Sequence, residues 1–403
     1  MEQAQPRRIL VLDGGMGTTL ETLGFDVNTP LWGSELLSSD PDAIRDIHKR
    51  YLAAGADIIE TATYQLTPGN LCQRLSCSEE QAAQILRVGV DVPHSATLSL
   101  ARGRVALSFG PFGSTLSPGQ EYGGLYPPPY GPSTSTNAFP AISGPSSPAE
   151  IEDMKGTEEE SAIKALAQFH LDKLRVFALH AESWEKVEWI AFETIPVLHE
   201  VRGIRRAMTI LNQELDGKYG KGDHKSDVGD TWWIKKFWIV SPFPSGQHPQ
   251  SQYVVEDSST DRPHVTVEQV LSAMVEGDDA VPNGTGINCT NPSYLPSLTK
   301  SFTSTYQSIL SSQPSRSLGS NLQFVLYPDG GQVYDTISRT WSTPSASGGP
   351  ETWAREVFDV AKDLEKAVTK AGEPLWDGVI VGGCCKSSFE EIRALRKLVD
   401  GAS

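Results

Sequence analysis

Three cysteines stand where a metal or redox centre could be assembled. Cys289 follows Gly286-Ile287-Asn288, and Cys384-Cys385 follow Val379-Ile380-Val381-Gly382-Gly383. Three thiolates are a soft ligand set suited to Zn2+, and a tetrahedral zinc with three protein ligands keeps one position open for substrate. The spacing lacks a paired Cys-x-x-Cys unit, so two other readings stand beside this one. A free cysteine is often a small buried hydrophobe, and the vicinal pair can serve as a redox dithiol. The two glycines before Cys384 would let the backbone turn sharply and leave room for a metal and its ligand near the main chain. Cys72 and Cys77 lie between elements and read as packing residues.

Carboxylates form the second group. Asp13 ends the apolar run 9–12, Glu193 lies in Phe192-Glu193-Thr194-Ile195-Pro196, and Glu121 lies in Gly119-Gln120-Glu121-Tyr122-Gly123. A carboxylate at the end of a strand can hold a substrate ammonium group, cap a helix or pair with a nearby lysine. His48 and His170 fall in helical stretches, where each reads as a surface or packing residue.

The elements that must position these groups alternate along the chain. Short apolar runs at 9–12, 57–59, 105–109, 189–192, 237–240, 286–288, 323–327 and 378–381 read as strands. Helical periodicity fills the intervals. Asp40-Pro41 reads as an N-cap with proline in the first turn, Ile44, Ile47, Tyr51 and Leu52 share one face, and Gly55 stops that helix. Ser78 with Gln81 forms a capping box for the next. Further helices are expected over 158–181, 197–215, 267–275, 294–310, 352–371 and 388–399. Eight such βα units point to an α/β fold with a closed (β/α)8 barrel, in which every strand's C-terminal end opens onto one face. On that face, Cys289 after the sixth strand and the cysteine pair after the eighth are separated by only one neighbouring strand. A doubly wound open sheet is the rival, but Gly14-Gly15-Met16-Gly17 after the first strand does not match the Gly-x-Gly-x-x-Gly fingerprint.

A chain of 403 residues suggests two or three domains by length, yet a single barrel extended by loops accommodates it. Insertions near 127–157, 216–231, 245–263 and 342–350 account for the excess. The stretch 127–150 carries seven prolines and five serines, so it reads as a surface insertion without helix or strand interior. A net charge of −16 argues against nucleic-acid or anionic-membrane surfaces. The start of the chain lacks an apolar signal core, no apolar run approaches a membrane span, and five cysteines are an odd count. The expectation is a cytoplasmic protein with reduced thiols; oligomeric state is not legible.

Taken together, these residues resemble the zinc-dependent homocysteine S-methyltransferase family nearly end to end. The resemblance is carried by Leu12-Asp13-Gly14-Gly15-Met16-Gly17-Thr18, Leu31-Trp32, Ala54-Gly55-Ala56-Asp57, Thr63-Tyr64-Gln65, Ser108-Phe109-Gly110-Pro111, Glu121-Tyr122 and Glu193-Thr194-Ile195-Pro196. The most specific motifs are Gly286-Ile287-Asn288-Cys289-Thr290 and Gly382-Gly383-Cys384-Cys385. The resemblance implies a (β/α)8 barrel that transfers a methyl group to homocysteine to give methionine, with Zn2+ held by Cys289, Cys384 and Cys385. It also implies that Asp13, Glu121 and the backbone around Gly14, Gly15 and Met16 hold the amino-acid end of homocysteine. Trp32, Gln65 and Tyr122 are candidates for the donor site. Gln65 replaces an aromatic residue of the betaine-using branch, so the likeness is to the branch using a sulfonium donor, S-methylmethionine or S-adenosylmethionine. Alternatives are selenocysteine, another thiol or betaine chemistry on the same scaffold, and a non-catalytic zinc-bound interaction protein recruiting partners through its insertions.

Overall fold

A computed structural model of the chain describes residues 9–139, 157–220, 231–252, 262–312, 322–331, 333–335, 340–342 and 348–402. Much of the four expected insertions (140–156, 221–230, 253–261 and 343–347) lies outside the described residues.

Eight strands carry the fold: β1 (Ile9–Val11), β2 (Ile58–Glu60), β3 (Arg104–Phe109), β4 (Trp189–Phe192), β5 (Lys236–Pro242), β6 (Gly284–Asn288), β7 (Gln323–Tyr327) and β8 (Val379–Val381). They form one parallel sheet in the order β1-β8-β7-β6-β5-β4-β3-β2. A parallel bridge between Leu12 and Ile58 joins the first strand to the second and closes the ring. Eight long helices alternate with the strands: α1 (Pro41–Ala54), α2 (Glu79–Leu100), α3 (Glu158–Ala178), α4 (Leu198–Tyr219), α5 (Val267–Val275), α6 (Leu295–Ser312), α7 (Gly349–Lys366) and α8 (Phe389–Gly401). The expected (β/α)8 barrel is therefore the observed one. Val333–Asp335 and Thr340–Ser342 add a small antiparallel hairpin after β7.

Local chemistry explains the helix starts. Asp40 accepts from the Ala43 amide with Pro41 at the first position of α1, and Gly55 closes that helix at φ +114°. Ser78 and Gln81 cap α2 reciprocally, as their spacing predicts. The expected helix over 352–371 is displaced toward the N-terminus. Pro350 sits in its first turn, and the chain turns extended at Ala367, where Val368 then bridges to Pro374. Proline pre-sets the first turn of a helix, so the start falls before Thr352.

Side chains alternate across each strand. On β4, Trp189 and Ala191 point into the barrel with Trp238, Val240, Val325, Tyr327 and Ile380, while Ile190 and Phe192 face the helices. The Trp189 and Trp238 rings lie 5.4 Å apart in that interior. Gly284 pairs with Trp238, and a Cβ there would lie 2.8 Å from Val325 Cγ2 and 3.0 Å from Trp238 Cβ. Gly286 is tighter still: a Cβ would run into the Val325 carbonyl on β7 and lie 2.9 Å from its carbon. Gly286→Ala is expected to force β6 and β7 apart and cost about 1–3 kcal/mol, as overpacking does. Chemical denaturation of the variant and the parent checks this; coincident unfolding midpoints would refute it.

Candidate active site

The sulfur cluster sits where the barrel order puts it. Cys289 lies one residue past β6 and Cys384-Cys385 three and four residues past β8, with β7 between them. β7 and the loop after it bind both segments: the Cys289 amide donates to the Tyr327 carbonyl at 3.2 Å, and the Cys384 amide to the Pro328 carbonyl at 2.7 Å. The three Sγ atoms lie within 4.8 Å of one another. The Cys289 and Cys384 sulfurs lie directly against each other, with Cys385 beside them. A tetrahedral zinc with Zn–S bonds of about 2.3 Å needs its sulfurs about 3.8 Å apart, so the reduced set can hold a metal ion. Burial, with the Asp329 and Glu121 carboxylates adding to it, pushes the Cys385 thiol up to about 12. Such a thiol ionises at neutral pH only beside a cation. Cys72 and Cys77 stay apart from the cluster; Cys72 lies inside a helix, Pro68–Leu75, rather than between elements.

The glycine pair has a packing role beyond the one expected. Neither Gly382 nor Gly383 adopts a positive φ. A Cβ on Gly382 would lie 2.6 Å from the Leu12 Cβ and 2.8 Å from the Asp13 carbonyl. Gly382 lets the β8 segment pass tightly against the end of β1, which brings Asp13 beside the cysteines, and Gly383 leaves space for the Ser387 side chain. The left-handed positions near the cluster fall instead on Cys289 (φ +44°), Thr194 (φ +59°) and Lys386 (φ +59°). Strain of this kind persists only where surroundings over-determine it. At Thr194 they do: Asn288 accepts from the Thr194 amide at 3.0 Å and donates to its Oγ1 at 2.7 Å and to the Cys289 Sγ at 3.4 Å.

Carboxylates line the same pocket. Asp13 is 2% exposed; its Oδ2 accepts from the Glu60 amide at 3.0 Å, and its Oδ1 is buried without a partner. Burial, with the Glu193 carboxylate adding to it, holds Asp13 well above the usual carboxylate range. Glu60 is raised by burial and then by Glu193 and Asp13, and its Oε1 is also unpartnered. Glu121 is raised by burial, with Oε2 unpartnered. Glu193 is pushed to about 7 by burial, against hydrogen bonds from Ser108 and Tyr327 and the charge of Lys173. Three orphaned carboxylate oxygens facing one cavity form a site built for a cationic group, because buried polar atoms left without partners are costly.

Asp13, Gly14, Gly15, Met16, Trp32, Gln65, Glu121, Tyr122, Cys289, Cys384 and Cys385 all line this pocket. Trp32 is 41% exposed and Tyr122 36%, which places both at its mouth. Gln65 is buried, and its amide donates to the Pro30 carbonyl at 2.8 Å, so one face of it is committed to holding the Trp32 loop. Glu60 and Tyr327 were not singled out from sequence. Each is the last residue of its strand, which is the signal that would have found them. His48 and His170 are both fully buried, so packing describes them and surface exposure does not. The 127–150 stretch is likewise not simply a surface segment: Asn137, Ala138 and Phe139 are buried.

No helix among the described residues is long and apolar enough to cross a membrane. Residues 10–399 match the family model described as homocysteine S-methyltransferase. Homocysteine S-methyltransferase 1 of Zea mays is 26% identical over 97% of this chain and 94% of its own. Homocysteine S-methyltransferase YbgG of Bacillus subtilis is 25% identical over 96% of this chain and 93% of its own. The metallated form of the homocysteine methyltransferase MmuM from Escherichia coli superimposes with a TM-score of 0.57 at 19% identity, covering 97% of this chain and 96% of that one, a likeness of fold. The match over almost the whole length, on a barrel whose strand ends gather the cysteine motifs, shows that the chain belongs to the homocysteine S-methyltransferase family, a family of methyl-transferring enzymes.

Proposed function

We propose that this protein transfers a methyl group from a sulfonium donor, S-methylmethionine or S-adenosylmethionine, to the thiolate of homocysteine, forming methionine in a zinc-dependent reaction. The observation that carries the reading is the joining of three sulfurs and three unpartnered carboxylate oxygens in one pocket. The whole chain, 1–403, forms one homocysteine-binding barrel domain with its insertions on loops.

Cys289, Cys384 and Cys385, reduced, would hold Zn2+ through their three thiolates. Bound there, zinc would act as a Lewis acid that lowers the pKa of the homocysteine thiol while three anionic ligands keep that sulfur nucleophilic. Asp13 and Glu121 accept the homocysteine ammonium, and the backbone of Gly14, Gly15 and Met16 meets its carboxylate. Asn288 and Thr194 direct hydrogen-bond donors at the Cys289 sulfur and hold it toward its neighbours. Trp32 and Tyr122 at the mouth offer aromatic faces to the donor's positive sulfur, beside Gln65. Transfer requires the donor methyl in line with the acceptor sulfur, so the rate depends on how firmly both ends are held.

The test is direct. Reduced, zinc-loaded protein is incubated with homocysteine and each of S-methylmethionine, S-adenosylmethionine and betaine, and methionine is scored. Methionine from a sulfonium donor is expected. Turnover with betaine alone would overturn the donor assignment, and no turnover with any donor would overturn the reaction.

A further inference from the structure

The segment bearing Glu121 is held at both ends by a residue that touches neither cavity nor cysteines. Glu200, on the first turn of α4, is fully buried. Its Oε1 accepts from the Phe112 amide at 2.6 Å and its Oε2 from the Tyr126 hydroxyl at 2.6 Å. His170 Nε2 on α3 lies 2.9 Å from the same Oε1. One carboxylate thus clasps residues 112 and 126, the two ends of the loop that carries Glu121 and Tyr122. From the other side, Asn137 in the proline- and serine-rich insertion donates to the Gly123 carbonyl at 2.7 Å and the Pro249 carbonyl at 3.0 Å, and accepts from the Ser251 amide at 3.0 Å. Tyr130 stacks on Phe112 with ring centroids 3.9 Å apart. Within the loop, the Gln120 amide donates to the Gly113 carbonyl at 2.9 Å and the Gly124 amide to the Gln120 carbonyl at 2.8 Å.

We infer that Glu200 and Asn137 are positioning residues for Glu121: they clasp the 112–126 loop from behind and in front, and so set the affinity for homocysteine. The inference deepens the proposed function and rests on Glu121 meeting the homocysteine ammonium. Its physical basis is that binding groups on a loop pay an ordering cost with each substrate unless the loop is already held. The insertion is then part of the binding apparatus, because Asn137 reaches the residue two positions beyond Glu121 while tying the 249–251 segment to it. Lys173, buried over the Phe109 and Phe169 rings, is the cation facing Glu200 and Glu193 from α3.

The experiment uses the zinc-loaded full chain as parent, Asn137→Ala, Glu200→Ala and Glu200→Gln. Steady-state kinetics in homocysteine, zinc content and backbone hydrogen exchange of peptides spanning 112–126 are read on each. Asn137→Ala is expected to raise KM for homocysteine by about tenfold, the effect of losing a well-made hydrogen bond, with kcat and zinc content unchanged and faster exchange across 112–126. Glu200→Ala shifts the same quantities further, and Glu200→Gln, which keeps a carbonyl acceptor, recovers most of the loss. Unchanged exchange across 112–126 in Asn137→Ala and Glu200→Ala alike would overturn the inference, as would an unchanged KM in an active Asn137→Ala. Inactivity of the parent would instead overturn the proposed function, and exchange would still decide whether the two residues hold the loop.

Discussion

Cys384→Ala is expected to leave the protein folded, bring its zinc content from one per chain to near zero, and abolish methyl transfer to homocysteine. Cys384 contributes one of the three sulfurs in the cluster, and its sulfur lies directly against that of Cys289. Two thiols alone make a weak site, because a structural or catalytic zinc needs at least three protein ligands. Without the ion, the homocysteine thiol remains mostly protonated at neutral pH, with a reference pKa of about 8.5, and loses its fixed position. Effective molarities of about 10⁵ M and above for well-placed reactants put the loss at no less than about 10³-fold. Elemental analysis with a methionine assay reads both quantities. Cys72→Ala and Cys77→Ala, half-buried on a peripheral helix and its following turn, are the controls that keep zinc and turnover. Full turnover by a Cys384→Ala protein free of metal would sink the mechanism. The closeness of the Cys289 and Cys384 sulfurs has a consequence of its own: protein oxidised to a disulfide between them should take up zinc only after a thiol reductant is added, since a disulfide sulfur is not a thiolate ligand.

The second large effect concerns the amino-acid end of the substrate. Asp13→Ala and Glu121→Ala are each expected to lower kcat/KM for homocysteine by about 30- to 1000-fold, mostly through KM, with zinc retained. This follows from about 2–4 kcal/mol for removing one partner of a buried charged pair. The unpartnered Asp13 Oδ1 and Glu121 Oε2 are the atoms at stake. Acidity gives an independent check. Burial raises both carboxyls, with the Glu193 charge raising Asp13 further. The empty pocket therefore retains protons that must leave before an ammonium group can be held, so affinity rises with pH through a range above that of an ordinary carboxylate. KM for homocysteine is expected to fall as pH climbs toward neutrality, and Asp13→Asn, which no longer titrates, flattens that dependence. A KM for the parent that rises over the same interval would remove Asp13 and Glu121 from the role of ammonium acceptors.

Much of the architecture was legible because its signals are local. Asp40-Pro41 and Ser78 with Gln81 cap helices through contacts within four residues. The apolar runs that became β4 and β7 alternate inward and outward by the pleat alone. Misjudged boundaries came from the ends of elements, where neighbouring chain decides. β2 includes Glu60 because that residue continues the pairing with β3 opposite Ala106, and the same register turns its carboxylate toward Asp13 and Glu193. With a side-chain period of two, a shift of one residue reverses which side of the barrel a group faces.

From its sequence alone, this chain determined the alternation that yields eight βα units, the types of group at the strand ends, and the cysteine and glycine motifs that mark its family. Only the tertiary structure decided that Cys289 and Cys384, 95 residues apart, meet across β7 and that Asp13, Glu60 and Glu121 bring their unpartnered oxygens to one pocket. It also decided that Asn137, in a stretch whose composition pointed outward, braces the loop of Glu121. The reason is that closure of the sheet converts positions far apart in the chain into neighbours around a ring. The burial that shifts Asp13, Glu193 and Cys385 from their ordinary acidities exists only once that ring has closed.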